Sequence, residues 1–551
     1  MQRFILQPAS VPRPFRPEER PLFPGSPYSP LHPPARRVLF AVAGILFGVI
    51  VNLGNGLVIA NVPVLAGAAT DYVPSVALLT GVYIAFNASA NLVLVKARTQ
   101  LGIPRVTLML LSSYAFAAVL LWLRPGLSTA LVLAAASGMS AAGLTTLSVY
   151  YCMQSLPAAV KPLGLILGIG AVQLGAPLAR LFPVDLFSLD GWLSLGLLQL
   201  AIAMAAIAII LGYPLPPSER SKAFEPLDGA TFALFLVANL CLCTVLAEGR
   251  LLWWSDTPWL GWALAACVPC YAGALLIESL RAHPLLQLRW YGTKVIATFA
   301  AVAVVVRLAL SEQAYGAVGL LSFAGLDNDQ FHTLYLWILG GQILGIAVAA
   351  LTTRIGTQPY QVMVAALIIA LAAWLDSGSN TLTRPDNILM TQAMIAFGTT
   401  LFIGPALVYG AMEMLKKGSD HLVSLVVLFS MTQNIGGLAG SALLGSYQVV
   451  QAKSHAGALA DGLAVGNPIV AARIQQGAGA LAGVIQDPAQ RAAQGAGLLG
   501  DALAGQAAVL GFNDAFMLVS LVAISAALFL AIVIVRLRIA KGRSARKGVP
   551  Q

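Results

Sequence analysis

Apolar residues occur along this chain in long runs that are separated by short polar segments. A helix needs about 20 apolar residues to cross the hydrocarbon core of a bilayer, and fourteen runs approach that length. They lie near residues 38–62, 72–95, 105–123, 126–154, 160–182, 191–213, 228–246, 257–278, 295–318, 331–353, 358–376, 385–412, 421–447 and 514–536. The pattern predicts an all-α polytopic membrane protein with fourteen transmembrane helices.

Composition agrees with a membrane protein. The 551 residues are 58% hydrophobic and only 10% charged, with a mean hydropathy of +0.82, whereas soluble domains carry about 25% charged residues. A net charge of +10 would also suit a nucleic-acid-binding protein. The basic residues, however, lie in short segments between apolar runs, where they orient membrane helices. We therefore expect contact with a lipid bilayer and none with nucleic acid.

The distribution of lysine and arginine predicts the orientation of the chain. With both termini in the cytoplasm, 24 of the 32 lysines and arginines fall in cytoplasmic segments. Cytoplasmic loops of membrane proteins carry this excess of basic residues. We expect a multi-pass protein of the cell inner membrane with both termini cytoplasmic.

Two helices near the middle of the chain separate two similar halves. We expect a disordered cytoplasmic tail over 1–37, a six-helix bundle over 38–213, a linker with two extra transmembrane helices over 214–294, a second six-helix bundle over 295–536 and a basic cytoplasmic tail over 537–551. The second bundle includes a long outer segment, 448–513, that is rich in alanine, glycine and glutamine. Stretches such as 469–485 predict amphipathic helices, or else a compact loop.

Small residues recur on the fifth helix of each half. Gly164, Gly168, Ala171 and Gly175 are three or four residues apart, and Gly436, Gly437, Gly440 and Gly445 repeat a similar spacing on helix 13. Such spacing lets helix backbones approach closely within lipid. Pro177 follows Gly175 and is expected to interrupt its helix. Interrupted helices at corresponding places in two halves are typical of transporters, and simple lipid-embedded packing is the alternative.

Four stretches of the chain resemble a known family. They are VIANVPVLAGA (58–68), TLSVYYCMQSLPAAVKPLGLILG (146–168), GAPLAR (175–180) and HPLLQLRWYGTKVIATF (283–299). In their order, and with fourteen helices, they resemble the 14-helix drug:proton antiporter branch of the major facilitator superfamily, which includes adaptor-dependent multidrug exporters. The resemblance implies two six-helix bundles plus two inserted helices. It also implies proton-coupled efflux of hydrophobic or aromatic small molecules by alternating access, with a periplasmic adaptor and an outer-membrane channel as further partners.

The chain departs from this family at several charged positions. Gly56 stands where relatives often have an acidic residue, and Ala134 and Gln433 stand near positions of family arginines. The loop KARTQLGIPR (96–105) keeps Gly102 and Arg105 but lacks the family aspartate. The family mechanism therefore cannot be transferred as a whole. The resemblance still implies gating roles for Gly102, Arg105, Gly175 and Pro177.

Helix 9 carries two charges well inside its apolar run, Arg307 and Glu312. An ionisable group in hydrocarbon costs about 2.5–3.5 kcal/mol or more, so it marks a functional site by default. Five residues at 100° each place the two side chains about 140° apart, so we expect them to face different partners. We predict that Glu312 carries the coupled proton and that Arg307 assists or holds an anionic group. Structural bridging between helices is the alternative.

Uncharged polar residues inside the predicted helices form a candidate substrate cavity. Apolar walls with a few amides suit a hydrophobic or aromatic solute. For any single residue, an interhelical hydrogen bond worth about 0.6 kcal/mol is the alternative. The predicted cavity residues are Asn55, Tyr83, Asn87, Tyr150, Gln173, Gln342, Gln392, Gln433 and Asn434.

Signatures of soluble enzymes do not occur in the sequence. It has no G-x-x-x-x-G-K-[ST] phosphate loop, its histidines lie in predicted loops or at helix ends, and Cys267-x-x-Cys270 lacks a second ligand pair. We therefore expect no enzymatic activity, no metal site and no cofactor. Two alternatives to an exporter stay open: an importer or facilitator of a small organic solute in the same fold, and a non-transporting membrane scaffold.

Overall fold

The computed structural model describes residues 19, 25–30, 32–69, 72–157, 160–188, 191–354, 356–463 and 466–546, and they are almost entirely helical. Thirteen helices in these ranges are long and apolar enough to cross a membrane, and the shorter Leu163–Ala179 completes a set of fourteen. In chain order they are α1 Pro34–Ala60, α2 Val73–Leu101, α3 Ile103–Leu123, α4 Leu127–Ser155, α5 Leu163–Ala179, α6 Gly191–Gly212, α7 Pro226–Glu248, α8 Pro258–Leu280, α9 Lys294–Phe323, α10 His332–Thr352, α11 Gln358–Asp376, α12 Leu389–Lys417, α13 Leu422–Asp461 and α14 Pro488–Arg546.

The helices form two six-helix bundles with the same internal packing. In the first bundle α1 packs on α5, α2 on α4 and α3 on α6; in the second, α9 packs on α13, α10 on α12 and α11 on α14. Each helix pair of the second bundle therefore corresponds to the pair of the first bundle whose helix numbers are eight lower. The predicted fold, two bundles with two inserted helices, is confirmed.

Glycines on α5 lie where helix backbones nearly touch. A Cβ at Gly168 would lie 2.6 Å from Val149 Cα on α4, and one at Gly175 would meet the carbonyl oxygen of Val49 on α1. These contacts have the close approach that the small-residue ladder predicts. Pro177 lies in the last turn of α5, which ends two residues later at Ala179. The proline therefore falls at the end of the helix rather than in the middle of a longer one.

The inserted pair, α7 and α8, joins the first bundle through α7, which packs on both α2 and α8. A buried charged cluster at one end holds it there: Lys96 Nζ lies 3.0 Å from Asp228 Oδ2, and Arg281 donates to Asp228 and Glu278 at 2.6 and 2.9 Å. Arg281 also pairs with the exposed Glu225 at 2.8 Å. Burial acts to lower the pKa of the Arg281 guanidinium, but these hydrogen bonds outweigh it and hold that pKa above its usual range.

The two helices that flank the predicted outer segment are longer than the apolar runs suggest. α13 has 40 residues and α14 has 59. At 1.5 Å per residue both exceed the roughly 30 Å hydrocarbon thickness, so they extend beyond the bilayer. Between them, a helix over Pro468–Ala480 packs on the start of α14, where Gly477 and Gly495 meet closely. An adaptor-binding role for 448–513 stays a prediction.

The N-terminal segment makes contacts with the rest of the protein where the structure describes it, and disorder of the tail 1–37 stays a prediction. His32 Nε2 lies 3.0 Å from Gln154 Oε1 on α4, and the Tyr28 amide donates to the Pro217 carbonyl at 3.0 Å. Residues 25–30 and 32–33 thus pack against the first bundle and the linker because polar groups find partners there. Residues 1–18, 20–24 and 31 of the predicted tail, and 547–551 of the basic tail, lie outside the described residues.

Candidate functional site

A cavity of about 180 Å³ lies between the two bundles. Its walls come from α1, α2, α4 and α5 of the first half and from α9, α12 and α13 of the second. Most of the wall is apolar, with side chains such as Val172, Ile403 and Phe429. The polar side chains on its surface are Asn52, Asn87, Asn91, Arg98, Thr145, Thr146, Tyr150, Gln173, Arg307, Ser430, Gln433 and Asn434.

The cavity extends toward one end of the bundles. Arg98 and Tyr150 lie in the last two turns of α2 and α4, Ala411 lies in the last two turns of α12, and Leu422 is the first residue of α13. By the order of the helices, all four positions belong to the end that carries the basic loops. The cavity therefore reaches from the middle of the bundle toward the predicted cytoplasmic side.

At the opposite end the two halves are in direct contact. Asn328 of the second half donates its side-chain amide to the Arg180 carbonyl at 2.9 Å, and the Val184 amide donates to Asp329 Oδ1 at 2.9 Å. The Arg180 guanidinium lies 5.7 Å from the ring centre of Tyr335 on α10. These contacts close the end at which α5 stops and α10 begins.

Amide side chains connect the halves across the middle of the cavity. Asn91 on α2 donates to Ser430 Oγ on α13 at 3.0 Å, and Asn434 donates to the same hydroxyl at 3.1 Å. Asn434 also donates to Asn87 Oδ1 at 3.4 Å. Since every bond joins two neutral groups, this network is of the kind that can exchange partners at small cost when helices move.

Arg307 is the charged residue that α9 presents to the cavity. Its Nε donates to the Gln433 carbonyl of α13 at 2.8 Å, the guanidinium lies over Gly437, and Gly436 faces the Arg307 Cγ. A Cβ at Gly437 would lie 2.6 Å from Arg307 Nη2. The glycine ladder on α13 therefore makes room for a polar side chain, whereas the ladder on α5 brings backbones together.

Glu312 lies outside this cavity, in a buried carboxyl cluster of the second half. Gln392 Nε2 on α12 donates to Glu312 Oε1 at 2.9 Å and Oε2 at 3.2 Å, and to Asp376 Oδ2 on α11 at 2.9 Å. Glu312 and Gln392 have no exposed surface. Two negative charges in one desolvated site repel each other strongly, so this cluster is suited to holding a proton.

The backbone of α9 changes its winding at this cluster. Residues Glu312–Ala317 form a π-helical turn between two α-helical segments. Such turns occur frequently at functional sites. Because Arg307 and Glu312 lie on the same helix and face different neighbours, as predicted, α9 connects the cavity to the carboxyl cluster.

Four of the predicted cavity residues lie elsewhere. Asn55 and Tyr83 border a separate gap of about 10 Å³ inside the first bundle, where the Tyr83 hydroxyl donates to the Val51 carbonyl. Gln342 is buried on α10, where its backbone carbonyl accepts from Thr400 of α12. Gln392 belongs to the carboxyl cluster. These four polar residues lie inside one bundle, and the sequence pattern alone does not distinguish such a position from a cavity wall.

The remaining predicted residues are placed as follows. Asn87, Tyr150, Gln173, Gln433, Asn434 and Arg307 line the cavity. Of the residues with predicted gating roles, Gly175 and Pro177 lie at the closed end, on α5. Gly102 has a φ of +87° between α2 and α3, and Arg105 is exposed on α3. Their gating roles stay predictions.

Two further functional candidates, Asp376 and Arg98, carry no clear signal in the sequence. Asp376 is the last residue of α11 and of the predicted apolar run 358–376, and a carboxylate at the end of a run, next to the polar residues SGSN, does not stand out as a charge inside the membrane. Arg98 follows the apolar run 72–95 and resembles a residue of the basic loop in the sequence, but α2 continues to Leu101 and Arg98 lines the cavity.

No family model matches the chain, and no curated protein matches it. Solved structures do match. The human organic anion transporter MFSD10 (TETRAN) has a TM-score of 0.51 at 12% identity, over 90% of this chain and 100% of that one. A bacterial homologue of the human drug peptide transporters PepT1 and PepT2 has a TM-score of 0.54 at 12% identity, over 92% and 99%.

A third similar structure belongs to a named superfamily. The major facilitator superfamily proton:xylose symporter XylE, bound to 6-bromo-6-deoxy-D-glucose, has a TM-score of 0.52 at 13% identity, over 90% of this chain and 95% of that one. At these identities the likeness concerns the fold. The chain has the fold of major facilitator superfamily transporters.

Proposed function

We propose that this protein is a secondary active transporter that exports a small hydrophobic or aromatic molecule in exchange for protons. The observation that carries the proposal is the cavity between the two bundles, which is closed at one end by Arg180 and Asn328 and extends toward the other end. A binding cavity at the interface of two repeats is the arrangement that alternating access requires. The described state would be the inward-facing one, with both termini on the cytoplasmic side of an inner membrane.

Alternating access requires that the contacts between the two halves at the closed end can be broken. The halves meet there through hydrogen bonds of Arg180, Val184, Asn328 and Asp329, and the described residues contribute no ion pair between the halves at that end. Hydrogen bonds contribute about 0.5–1.5 kcal/mol each between neutral groups and about 1.5–3 kcal/mol where one group is charged, as for the Arg180 guanidinium and the Asp329 carboxylate, so these few bonds can be broken. Rocking of one bundle against the other would break these bonds and close the cavity at its cytoplasmic end.

Proton coupling is assigned to the Glu312–Gln392–Asp376 cluster. A shared proton would neutralise one carboxyl group, and its loss would leave two charges in a desolvated site. Gln392 would then have to rearrange its bonds to both carboxyl groups, which changes the packing of α9 against α11 and α12. Since α9 also carries Arg307, this change would reach the cavity wall.

One observation favours a second candidate, an importer or facilitator that works without protons. No carboxylate occurs among the cavity-lining residues that the structure describes, so the solute path itself contains no acid. In this candidate the carboxyl cluster only joins three helices. The two candidates differ in whether a proton gradient drives the solute.

The test is transport in proteoliposomes with and without an imposed pH gradient. We expect the gradient to drive solute accumulation by the unaltered protein, and Glu312→Gln to abolish this while leaving downhill exchange. Asp386→Asn is the matched control, because Asp386 is an exposed carboxylate near the same end of α12. Gradient-driven accumulation that persists in Glu312→Gln would contradict proton coupling at this site and favour the second candidate.

A further inference from the structure

The charge of the central cavity indicates what kind of solute it holds. Two arginines, Arg98 and Arg307, line the cavity, and none of its described lining residues is acidic. The other polar groups on its surface are amides and hydroxyls. A permanent positive charge in a low-dielectric cavity attracts an anion strongly. The cavity therefore has a net positive potential, which attracts an anionic solute and repels a cationic one.

Arg307 has donors to offer to such an anion. Its Nε is engaged by the Gln433 carbonyl at 2.8 Å, while its terminal nitrogens have no acceptor or ion-pair partner within the described parts of the chain. A planar guanidinium with free terminal nitrogens matches the geometry of a carboxylate, which it can bind through two parallel hydrogen bonds.

Polar groups without hydrogen-bond partners near the arginines also indicate a bound ligand. Gln433 is 8% exposed and lines the cavity, yet neither its Nε2 nor its Oε1 has a partner among the described residues. Arg98 is 6% exposed and also lines the cavity; its Nε has no partner there, and its guanidinium lies 5.2 Å from the ring centre of Tyr150. Buried polar groups are normally hydrogen-bonded, so these side chains are arranged for a ligand.

Size and wall chemistry define the rest of the solute. The cavity has a volume of about 180 Å³, and an apolar protein cavity of about 150 Å³ accommodates benzene. Val51, Val149, Ile169 and Leu407 contribute apolar wall. The space therefore fits one aromatic ring with a small charged substituent.

We propose that the solute is an organic anion, a single-ring aromatic acid whose negative group binds Arg307. This inference rests on the proposed function as a transporter and specifies the substrate class of the same cavity. Arg98 provides a second positive charge nearer the cytoplasmic end, and Gln433 completes the polar contacts. The glycine at 437 is required because it leaves space for the guanidinium.

Binding to the purified protein tests the proposal without requiring transport. The probes are benzoate, benzamide and benzylamine, which share one ring and differ in charge, and the readout is the concentration-dependent increase in melting temperature. We expect saturable stabilisation by benzoate and none by benzylamine at the same concentrations. The proposal would be overturned if benzylamine stabilised the protein as much as benzoate does. It would also be overturned if none of the three compounds stabilised the folded protein.

Variants locate the site. We expect benzoate affinity to fall at least tenfold in Arg307→Gln. It should fall less in Arg307→Lys, which keeps the positive charge but cannot form two parallel hydrogen bonds to a carboxylate. Gly437→Ala should weaken benzoate binding because the new Cβ would lie 2.6 Å from Arg307 Nη2, whereas the neighbouring Gly436→Ala, with its closest contact at 3.4 Å, should not. If Arg307→Gln does not elute as folded protein, the two alanine variants decide: equal affinities in both would overturn the assignment.

A flux measurement separates this inference from the proposed function. Benzenesulfonate, a permanently charged analogue that does not cross lipid by itself, serves as the transported probe in proteoliposomes. Arg307-dependent binding without benzenesulfonate flux would refute transport and leave the anion site standing. Proton-driven flux of a neutral or cationic ring compound with no effect of Arg307→Gln would support transport and refute the anion site.

Discussion

Glu312 and Asp376 accept hydrogen bonds from the same side-chain nitrogen, Nε2 of Gln392, at 2.9 Å each. The two carboxyl groups come from α9 and α11, and the amide that joins them comes from α12. One amide group has two hydrogens to share among three carboxylate oxygens. The cluster is therefore one unit in which a proton placed on either acid affects the other.

A first prediction follows from this sharing. Asp376→Asn should abolish gradient-driven accumulation as Glu312→Gln does, because each removes one of the two groups between which the proton is held. The double variant should be no worse than either single variant, since residues that act as one unit are not additive. The measurement is accumulation in proteoliposomes under a fixed pH gradient. If the double variant lost accumulation by the product of the two single-variant factors, the two carboxyl groups would not form a shared site.

The pattern of apolar residues in the sequence is sufficient to predict the fold. Each predicted run became a helix because about 20 apolar residues have one stable arrangement in a bilayer. Arg307 and Glu312 were identifiable for the same reason, since a charge inside such a run is exceptional. Asp376 was not, because it stands at the boundary between an apolar run and a polar loop. Which face of a helix meets the other bundle is a tertiary property, so Gln392 and Tyr83 were assigned to the wrong site.

A second prediction concerns the charged cluster that anchors the inserted helices. Asp228 is fully buried between Lys96 and Arg281. Asp228→Asn should destabilise the protein by about 3 kcal/mol, the low end of the cost of breaking a buried ion pair, because Lys96 loses its carboxylate partner while Arg281 keeps Glu278 and Glu225. The measurement is thermal unfolding in detergent. The matched control is Glu225→Gln: Glu225 pairs with the same Arg281 nitrogen but is exposed, so a much smaller change in melting temperature is expected. Equal changes in both variants would contradict this account.

A third prediction concerns pH and the N-terminal segment. Burial lowers the pKa of His32, and the charges of Arg36, Arg37 and Lys161 lower it further against the opposing hydrogen bond to Gln154. The folded state thus binds fewer protons at this ring than the unfolded state, whose pKa is about 6.5. The contribution of His32 to stability is therefore present above about pH 6.5 and is lost as the pH falls through the lower folded pKa.

Hydrogen exchange measures that loss. After correction for intrinsic rates, the Tyr28 amide, which is bonded to the Pro217 carbonyl, should be less protected at pH 5.5 than at pH 7.5. His32→Phe is the control, because a phenyl ring keeps the contact with Phe40 and does not titrate. The same pH dependence in His32→Phe would rule out His32 as its cause.

A fourth prediction concerns the contact between the halves midway along α5. Gly170 of α5 faces Ile346 of α10, and a Cβ at position 170 would lie 2.7 Å from the Ile346 side chain. A leucine there cannot fit without moving the two helices apart. Gly170→Leu should therefore disfavour the described state and increase the population in which α5 and α10 have separated.

Spin labels at Leu186 and Leu382, exposed positions on the closed side of the first and second half, report this separation as a distance distribution. We expect Gly170→Leu to shift the distribution to longer distances and to slow the exchange of solute, because the transporter then spends less time in the inward-facing state. Gly340→Leu is the matched control: Gly340 lies on α10, and a Cβ there has no neighbour within 4 Å. An unchanged distance distribution in Gly170→Leu would show that α5 and α10 do not form the interface that opens during transport.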